Sequence, residues 1–236
     1  MITGLLWIVG TLIVAGVVIR LAFAPEVTAC FERDPAARNL VEVLLTYSGL
    51  HVLIAYRIAH ALDRMRIPVA PRLLMTLARW LTGVEIHPSA TIGRGLFIDH
   101  GTGVVIGETA VIGDDVTLFQ GVTLGGTGKQ RGKRHPTIGD HVVIGAGAKV
   151  LGDIHIGRES IIGANAVVIR DVPEHSTVVG VPGRIAKIKD KQFHGINLDH
   201  THLPDPLTER LERLQHEIDS IEQHLKEHRK SQTPTP

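Results

Sequence analysis

Two of the 14 histidines have neighbours that suit chemistry. His100 directly follows Asp99, and His135 directly follows Lys133 and Arg134. Imidazole can take and return a proton near pH 7, so a histidine beside a carboxylate suits general-base work on a hydroxyl. A guanidinium beside an imidazole suits an anionic oxygen, through charge-assisted hydrogen bonds. Both groups also have a plain structural reading. His100 reads equally as a surface coil residue, and the run from Lys129 to Arg134 as a solvated loop. The remaining histidines offer less. His194, His200 and His202 sit in a polar linker, and His216, His224 and His228 on the outside of a charged C-terminal segment.

These residues need a scaffold, and the hydrophobic pattern supplies one. Ile86, Ile92 and Ile98 are six apart. The series resumes at Ile106, Ile112, Leu118 and Leu124, and again at Ile138, Ile144, Val150, Ile156, Ile162 and Val168. Glycine directly follows many of them. Neither a helix nor an ordinary strand has this period. A β-helix with a triangular coil does, because each six-residue side turns one aliphatic inward and ends in a tight corner. The rhythm breaks twice, between Ile98 and Ile106 and across Gly125–Thr137. A solenoid accepts insertions only where they leave the coil, and such loops often carry function. Asp99, His100, Arg134 and His135 all lie in the two breaks.

The flanks read as helix. Ile2 to Ile19 carries no charge and would be about 27 Å long as a helix. The reading taken for residues 1–24 is a membrane anchor, with an oligomerisation helix or a cleaved signal as alternatives. Residues 25–83 read as a helical domain. Asp34-Pro35 suggests a helix start, with Asp34 as N-cap and Pro35 at the first helical position. Leu40, Val43, Leu44 and Tyr47 follow at helical spacing, then one helix from Leu50 to Met65 and another ending at Gly83. Residues 84–188 form the coil. Residues 189–236 read as a linker, a short helix with a heptad seam (Leu207, Leu211, Leu214, Ile218, Ile221, Leu225) and a frayed tail. The alternative is one amphipathic helix lying on the body.

Composition narrows the class. A net charge of +1 gives no global field toward nucleic acid. Aromatics are only 4%, which suits a solenoid of small and β-branched residues better than an ordinary globular core. The single cysteine, Cys30, excludes an intrachain disulfide and points to a reducing, cytoplasmic setting.

Eight segments carry a resemblance: Glu32–Ala36, Glu85–Pro88, Phe97–His100, Val105–Ala110, Val122–Lys129, Gly132–Pro136, Gly145–Gly152 and Val179–Gly183. From Glu32 to Ile185 the chain resembles the serine O-acetyltransferase family of hexapeptide-repeat acyltransferases. The resemblance implies a mixed α and β fold: an N-terminal helical region, then a left-handed parallel β-helix, here followed by a C-terminal amphipathic helix. It implies acetyl transfer from acetyl-CoA to the hydroxyl of L-serine, on the route to cysteine, without a metal. It implies His100 as general base and Glu85 as its acidic partner, where the family has the shorter aspartate. Asp34 and Asp99 would face the substrate ammonium, and Arg134 and His135 its carboxylate. Gly126, Ala146 and Ala164 match positions where small residues let pantetheine approach the backbone, and Lys129, Lys133 and Lys149 could meet phosphates. His135 or a loop amide would serve the oxyanion.

The resemblance further implies a homotrimer or a dimer of trimers, and the apolar run itself gives residues 2–24 as the membrane contact. The family's tail that docks into O-acetylserine sulfhydrylase ends in isoleucine; this chain reads Thr-Pro-Thr-Pro, so that complex is not expected. Two rival activities share the coil. One is acetyl transfer to a sugar or other hydroxyl, which would not need both charge signs. The other is zinc hydration resembling a γ-class carbonic anhydrase, for which His135 and His141 are six apart but a third ligand is lacking. Read singly, Asp34 is a helix cap and Glu85 a solvated corner.

Overall fold

The computed structural model describes residue 14 and residues 16–129, 131–188 and 206–231. Most of the expected anchor at 1–24 and the linker at 189–205 lie outside these residues. The chain divides into two compact units, Met1–Leu203 and Pro204–Pro236.

The first unit is the expected left-handed parallel β-helix, with helices at its N-terminal end. Strands of two or three residues alternate with corners, from β1 (Glu85–Ile86), β2 (Thr91–Ile92) and β3 (Phe97–Ile98) onward. Each further coil repeats the trio: β4 (Val105–Ile106), β5 (Val111–Ile112) and β6 (Thr117–Leu118), then β7 (Thr123–Gly125), β8 (Thr137–Ile138) and β9 (Val143–Ile144). The next strands are β10 (Lys149–Leu151), β11 (His155–Ile156), β12 (Ile161–Ile162), β13 (Val167–Val168) and β14 (Ser176–Val179). They stack into three faces. Face A is β1-β4-β7-β10-β13, face B is β2-β5-β8-β11, and face C begins β3-β6-β9-β12-β14. Register is in step throughout, so Ile98, Leu118, Ile144, Ile162 and Val178 form one inward ladder on face C. The aliphatics of the six-residue series are buried at 6% exposure or less. The sixfold rhythm is therefore a rhythm of buried residues, and burying each aliphatic contributes roughly 1.5–3 kcal/mol.

An open coil leaves carbonyls of its first turn unpaired on the outer side, because ladder bonds run in both directions between successive coils and no coil stacks before the first. The helices α1 (Ala24–Arg33), α2 (Leu40–Thr46), α3 (Ser48–Arg64) and α4 (Ala70–Thr82) meet this demand with donors. Tyr56 Oη donates to Ala90 O, His60 Nδ1 contacts Pro88 O, Arg57 donates to Ile92 O and Gly93 O, and Arg33 donates to Gly95 O. With only acceptors on the coil side, His60 must carry its proton on Nδ1. Val52, Leu53, Tyr56 and Met75 join the coil's core, so helices and coil share one compact unit. Gly49 is required here. A Cβ on it would overlap Ile98 O, because the first turn of α3 sits directly on the coil.

Arg33 reaches more partners on the coil than the other tethers. Its Nη1 donates to Gly95 O, Val116 O and Thr117 Oγ1, and its Nη2 pairs with Asp115 at 3.0 Å. Arg33→Met is expected to lower unfolding stability by roughly 3 kcal/mol, because several buried acceptors lose a charged donor. Urea denaturation measures it.

The sequence reading of Asp34 as an N-cap is corrected. Asp34 is the C-cap of α1, and the cap of the next helix is Asn39, whose side chain accepts from Glu42 N at 2.9 Å. Asp34 Oδ1 instead accepts from Ala36 N, closing a turn over Pro35. At the far end β15 (Arg184–Ile188) pairs antiparallel with β14 and covers the edge of face C. Among the described residues no single helix is long and apolar enough to cross a membrane. The second unit contains α5 (Pro206–Ser231), on which Leu211, Leu214, Ile218 and Ile221 are about half exposed or more.

Candidate active site

The prism has three edges, and the predicted residues fall on two of them. The edge between faces C and A carries His100. Asp99 N donates to Leu118 O, and Gly121 N donates to Thr102 O, so the ladder skips two residues. Those two, His100 and Gly101, are the first insertion. They bulge from the coil. His100 has φ 58°, but Asp115, His141, Glu159, Asn165 and His175 share this value within two degrees. Its backbone therefore follows corner geometry common to the coil.

The bulge faces the helices across a cleft of about 280 Å3. Asp34, Tyr47 and Ser48 line one side, and Ile98, Asp99 and His100 the other. Asp34 presents a carboxylate whose Oδ2 accepts from Tyr47 Oη at 2.5 Å. Burial and this hydrogen bond push the Tyr47 phenol well above its usual pKa, so it remains a donor. The His100 ring is 75% exposed, and its Nε2 lies 3.8 Å from Asp99 Oδ1. Two carboxylates and an imidazole thus surround a space suited to a small cationic ligand with a hydroxyl.

Glu85 is elsewhere engaged. The expected contact with His100 is not formed; Arg79, from the last turn of α4, holds the Glu85 carboxylate at 2.8 Å. Glu85 is still close to the bulge. A Cβ on Gly101 would lie 2.8 Å from Val84 Cγ2, next along the chain from Glu85. The extra methylene of glutamate gives it reach toward the helix as well as toward the bulge.

The edge between faces A and B carries the other group. Glu108 and Thr109 follow β4 there, and Arg134 and His135 precede β8 at the end of the second insertion. Arg134 Nη2 pairs with Glu108 Oε2 at 2.5 Å. That hydrogen bond holds the Glu108 carboxyl below its ordinary range. Thr109 Oγ1 accepts from the backbone N–H groups of Arg134 and His135 at 3.0 and 3.1 Å. His135 is 7% exposed and lies flat on Gly107, where a Cβ would overlap the ring. A Cβ on Gly126 would stand 3.0 Å from His135 Nε2. Lys133 folds back onto Thr109 O and His135 O, and Lys149 onto Gly121 O.

The structure therefore brings Asp34, Asp99 and His100 together. It brings Arg134, His135 and Gly126 together separately, a whole prism face away. Ala146 and Ala164 stack on the His100 edge, in the corner column that Thr102 and Gln120 begin. Tyr47, Arg79, Gly107, Glu108 and Thr109 were not anticipated. Glu108 and Thr109 could have been: pairing Ile106 with Leu124 and Ile112 with Ile138 sets them one coil from Arg134 and His135. His141 lies on the third edge, so it cannot share a metal with His135. Among the described residues no group of three or more His, Cys, Asp or Glu could hold a metal ion.

Burial, followed by Arg134, pushes the His135 pKa below its usual 6.5, and burial, followed by Arg72, does the same to His87. Both rings stay neutral in the fold while the unfolded chain takes up protons. The stability they contribute is complete above about pH 6.5 and is lost as pH falls toward the lowered folded values. The melting temperature is expected to fall between about pH 7 and 5, and to fall less in His87→Gln.

Residues 135–170 match the family model described as bacterial transferase hexapeptide (six repeats). Coil, corners and match together define a hexapeptide-repeat transferase. A serine acetyltransferase of Bacillus pumilus (strain SAFR-032) is 54% identical over 200 residues, covering 85% of this chain and 92% of the relative. The soybean serine acetyltransferase solved in complex with serine is 47% identical, with a TM-score of 0.68 over 71% of this chain and 69% of that one. The serine acetyltransferase of Brucella abortus strain S19, solved in complex with coenzyme A, is 43% identical, with a TM-score of 0.69 over 71% and 67%. The chain belongs to the serine acetyltransferase family.

Proposed function

We propose that the enzyme transfers acetyl from acetyl-CoA to the hydroxyl of L-serine, giving O-acetyl-L-serine and CoA. The observation that carries this reading is the cleft where Asp34 and Asp99 face the His100 bulge, in a chain of this family. The carboxylates receive the substrate ammonium. His100 takes the hydroxyl proton as the oxygen attacks the thioester carbonyl. The tetrahedral oxyanion collapses, the C–S bond breaks, and the proton on His100 leaves with CoA. Glu85, released from Arg79, orients the ring by triad logic. Acetyl-CoA, a co-substrate, runs along the small residues Ala146 and Ala164 and meets Gly126 of the neighbouring copy. The product would feed cysteine synthesis in the cytoplasm.

Arg134, which faces the substrate carboxylate, and His135 beside it come from a neighbouring copy in a homotrimer. Each copy offers two different edges, one with the base and one with the guanidinium. Two different patches meeting head to tail make a closed ring when the rotation between copies is one third of a turn. The exposed seam on α5 suits the same stoichiometry.

Asp34 and Arg134 separate this reading from a sugar substrate, because only a zwitterion uses both signs. Asp34→Ala and Arg134→Ala are each expected to raise KM for L-serine about 10-fold or more while leaving KM for acetyl-CoA nearly unchanged. Equal rises in both would reject the site. Acetyl-CoA consumption with L-serine against a panel of sugars tests the substrate itself.

A further inference from the structure

His135 sits in a hydrogen-bond arrangement with one consistent proton assignment. Thr109 Oγ1 has two lone pairs, and the backbone N–H groups of Arg134 and His135 donate to that oxygen. Its own proton must then point outward, and His135 Nδ1 lies 2.9 Å away. Thr109 N–H also donates to Nδ1, at 3.1 Å. A ring nitrogen that receives two donors carries no proton. In the neutral ring the proton lies on Nε2, which faces Gly126.

We infer that Thr109 fixes His135 as a neutral imidazole protonated on Nε2, so that His135 serves acetyl transfer as an uncharged hydrogen-bond donor to the oxyanion and not as a base. The inference rests on the acetyl-transfer reading above. An uncharged donor of this kind stabilises charge that develops only in the transition state, at no cost of proton movement. It also leaves a single base in the site, His100. The charged and titratable groups around the ring are Arg134, Lys133, Glu108 and His87. The two cations oppose a second positive charge there, Glu108 favours one, and burial sides with the cations. Thr109 is a positioning residue, and Gly107 makes the room in which the ring lies.

The ring can be read directly by 15N NMR of the whole enzyme without substrate, with His135 assigned by its absence from His135→Asn. A neutral ring at pH 7 with Nε2 protonated and Nδ1 bare is expected. A proton on Nδ1, or a cationic ring, would overturn the inference. Thr109→Val should blur that signature and lower kcat about 10-fold at unchanged KM for acetyl-CoA, and Thr109→Ser should restore both. An unchanged signature in Thr109→Val removes Thr109 from the account, and unchanged kcat with an altered signature removes the donor role. If Thr109→Val does not fold, the wild-type spectrum still decides. Absence of wild-type turnover with L-serine would fault the substrate reading and leave the ring assignment standing.

Discussion

Mixing His100→Asn chains with His135→Asn chains, by co-expression or by unfolding and refolding together, is expected to recover about one quarter of wild-type turnover. Each variant alone should be close to inactive. The fraction follows from counting. In the proposed trimer a site takes His100 from one copy and His135 from its neighbour, and random assembly at equal amounts supplies both intact partners in about one site of four. The premise is geometric. His100 bulges from the edge between faces C and A, whereas Thr109 and Glu108 bind His135 and Arg134 into the edge between faces A and B. These edges are far too well tied to meet within one chain. The β7-to-β10 and β4-to-β7 ladders between them are continuous, and Arg134 is held by Glu108 at 2.5 Å. Turnover that stays at background in the mixture, with trimers shown to contain both variants, would mean that one chain completes its own site.

Much of the scaffold could be read from the chain because a triangular coil repeats a single local rule. An aliphatic every six residues has one structural meaning, and the aliphatics from Ile86 to Val168 occupy the ladder positions that spacing assigned. Breaks in the rhythm were equally legible, and both candidate groups, Asp99-His100 and Arg134-His135, lie in them. Other features depend on contacts between distant segments. Asp34-Pro35 looks like a helix start, but the turn that Asp34 closes onto Ala36 serves the cleft, and Asn39 caps the helix instead. Tyr47 reads as one more apolar helix position until its hydroxyl is seen on Asp34, 13 residues away. Glu85 was paired with His100 by family pattern, yet its longer side chain reaches Arg79, a residue with no signal of its own. Thr109 is 26 residues from His135 and becomes visible only when corners are aligned coil by coil.

The donor-rich cap on the coil has a bearing on the site as well. Arg33 precedes Asp34, and its guanidinium is locked onto Gly95, Val116 and Asp115. A tether one residue from Asp34 limits where the Asp34 carboxylate can point, so the cap on the coil and one wall of the cleft are set by neighbouring residues of one turn.

The central claim is that His100 removes the proton from the hydroxyl of bound L-serine. Single-turnover and steady-state acetyl-CoA consumption with L-serine, comparing wild type with His100→Ala, tests it most directly. General-base removal predicts a loss in kcat on the order of 10²–10⁴-fold, with KM for acetyl-CoA little changed and the trimer intact. If His100→Ala trimers acetylate L-serine at a rate near that of the wild type, the base lies elsewhere and the account is wrong.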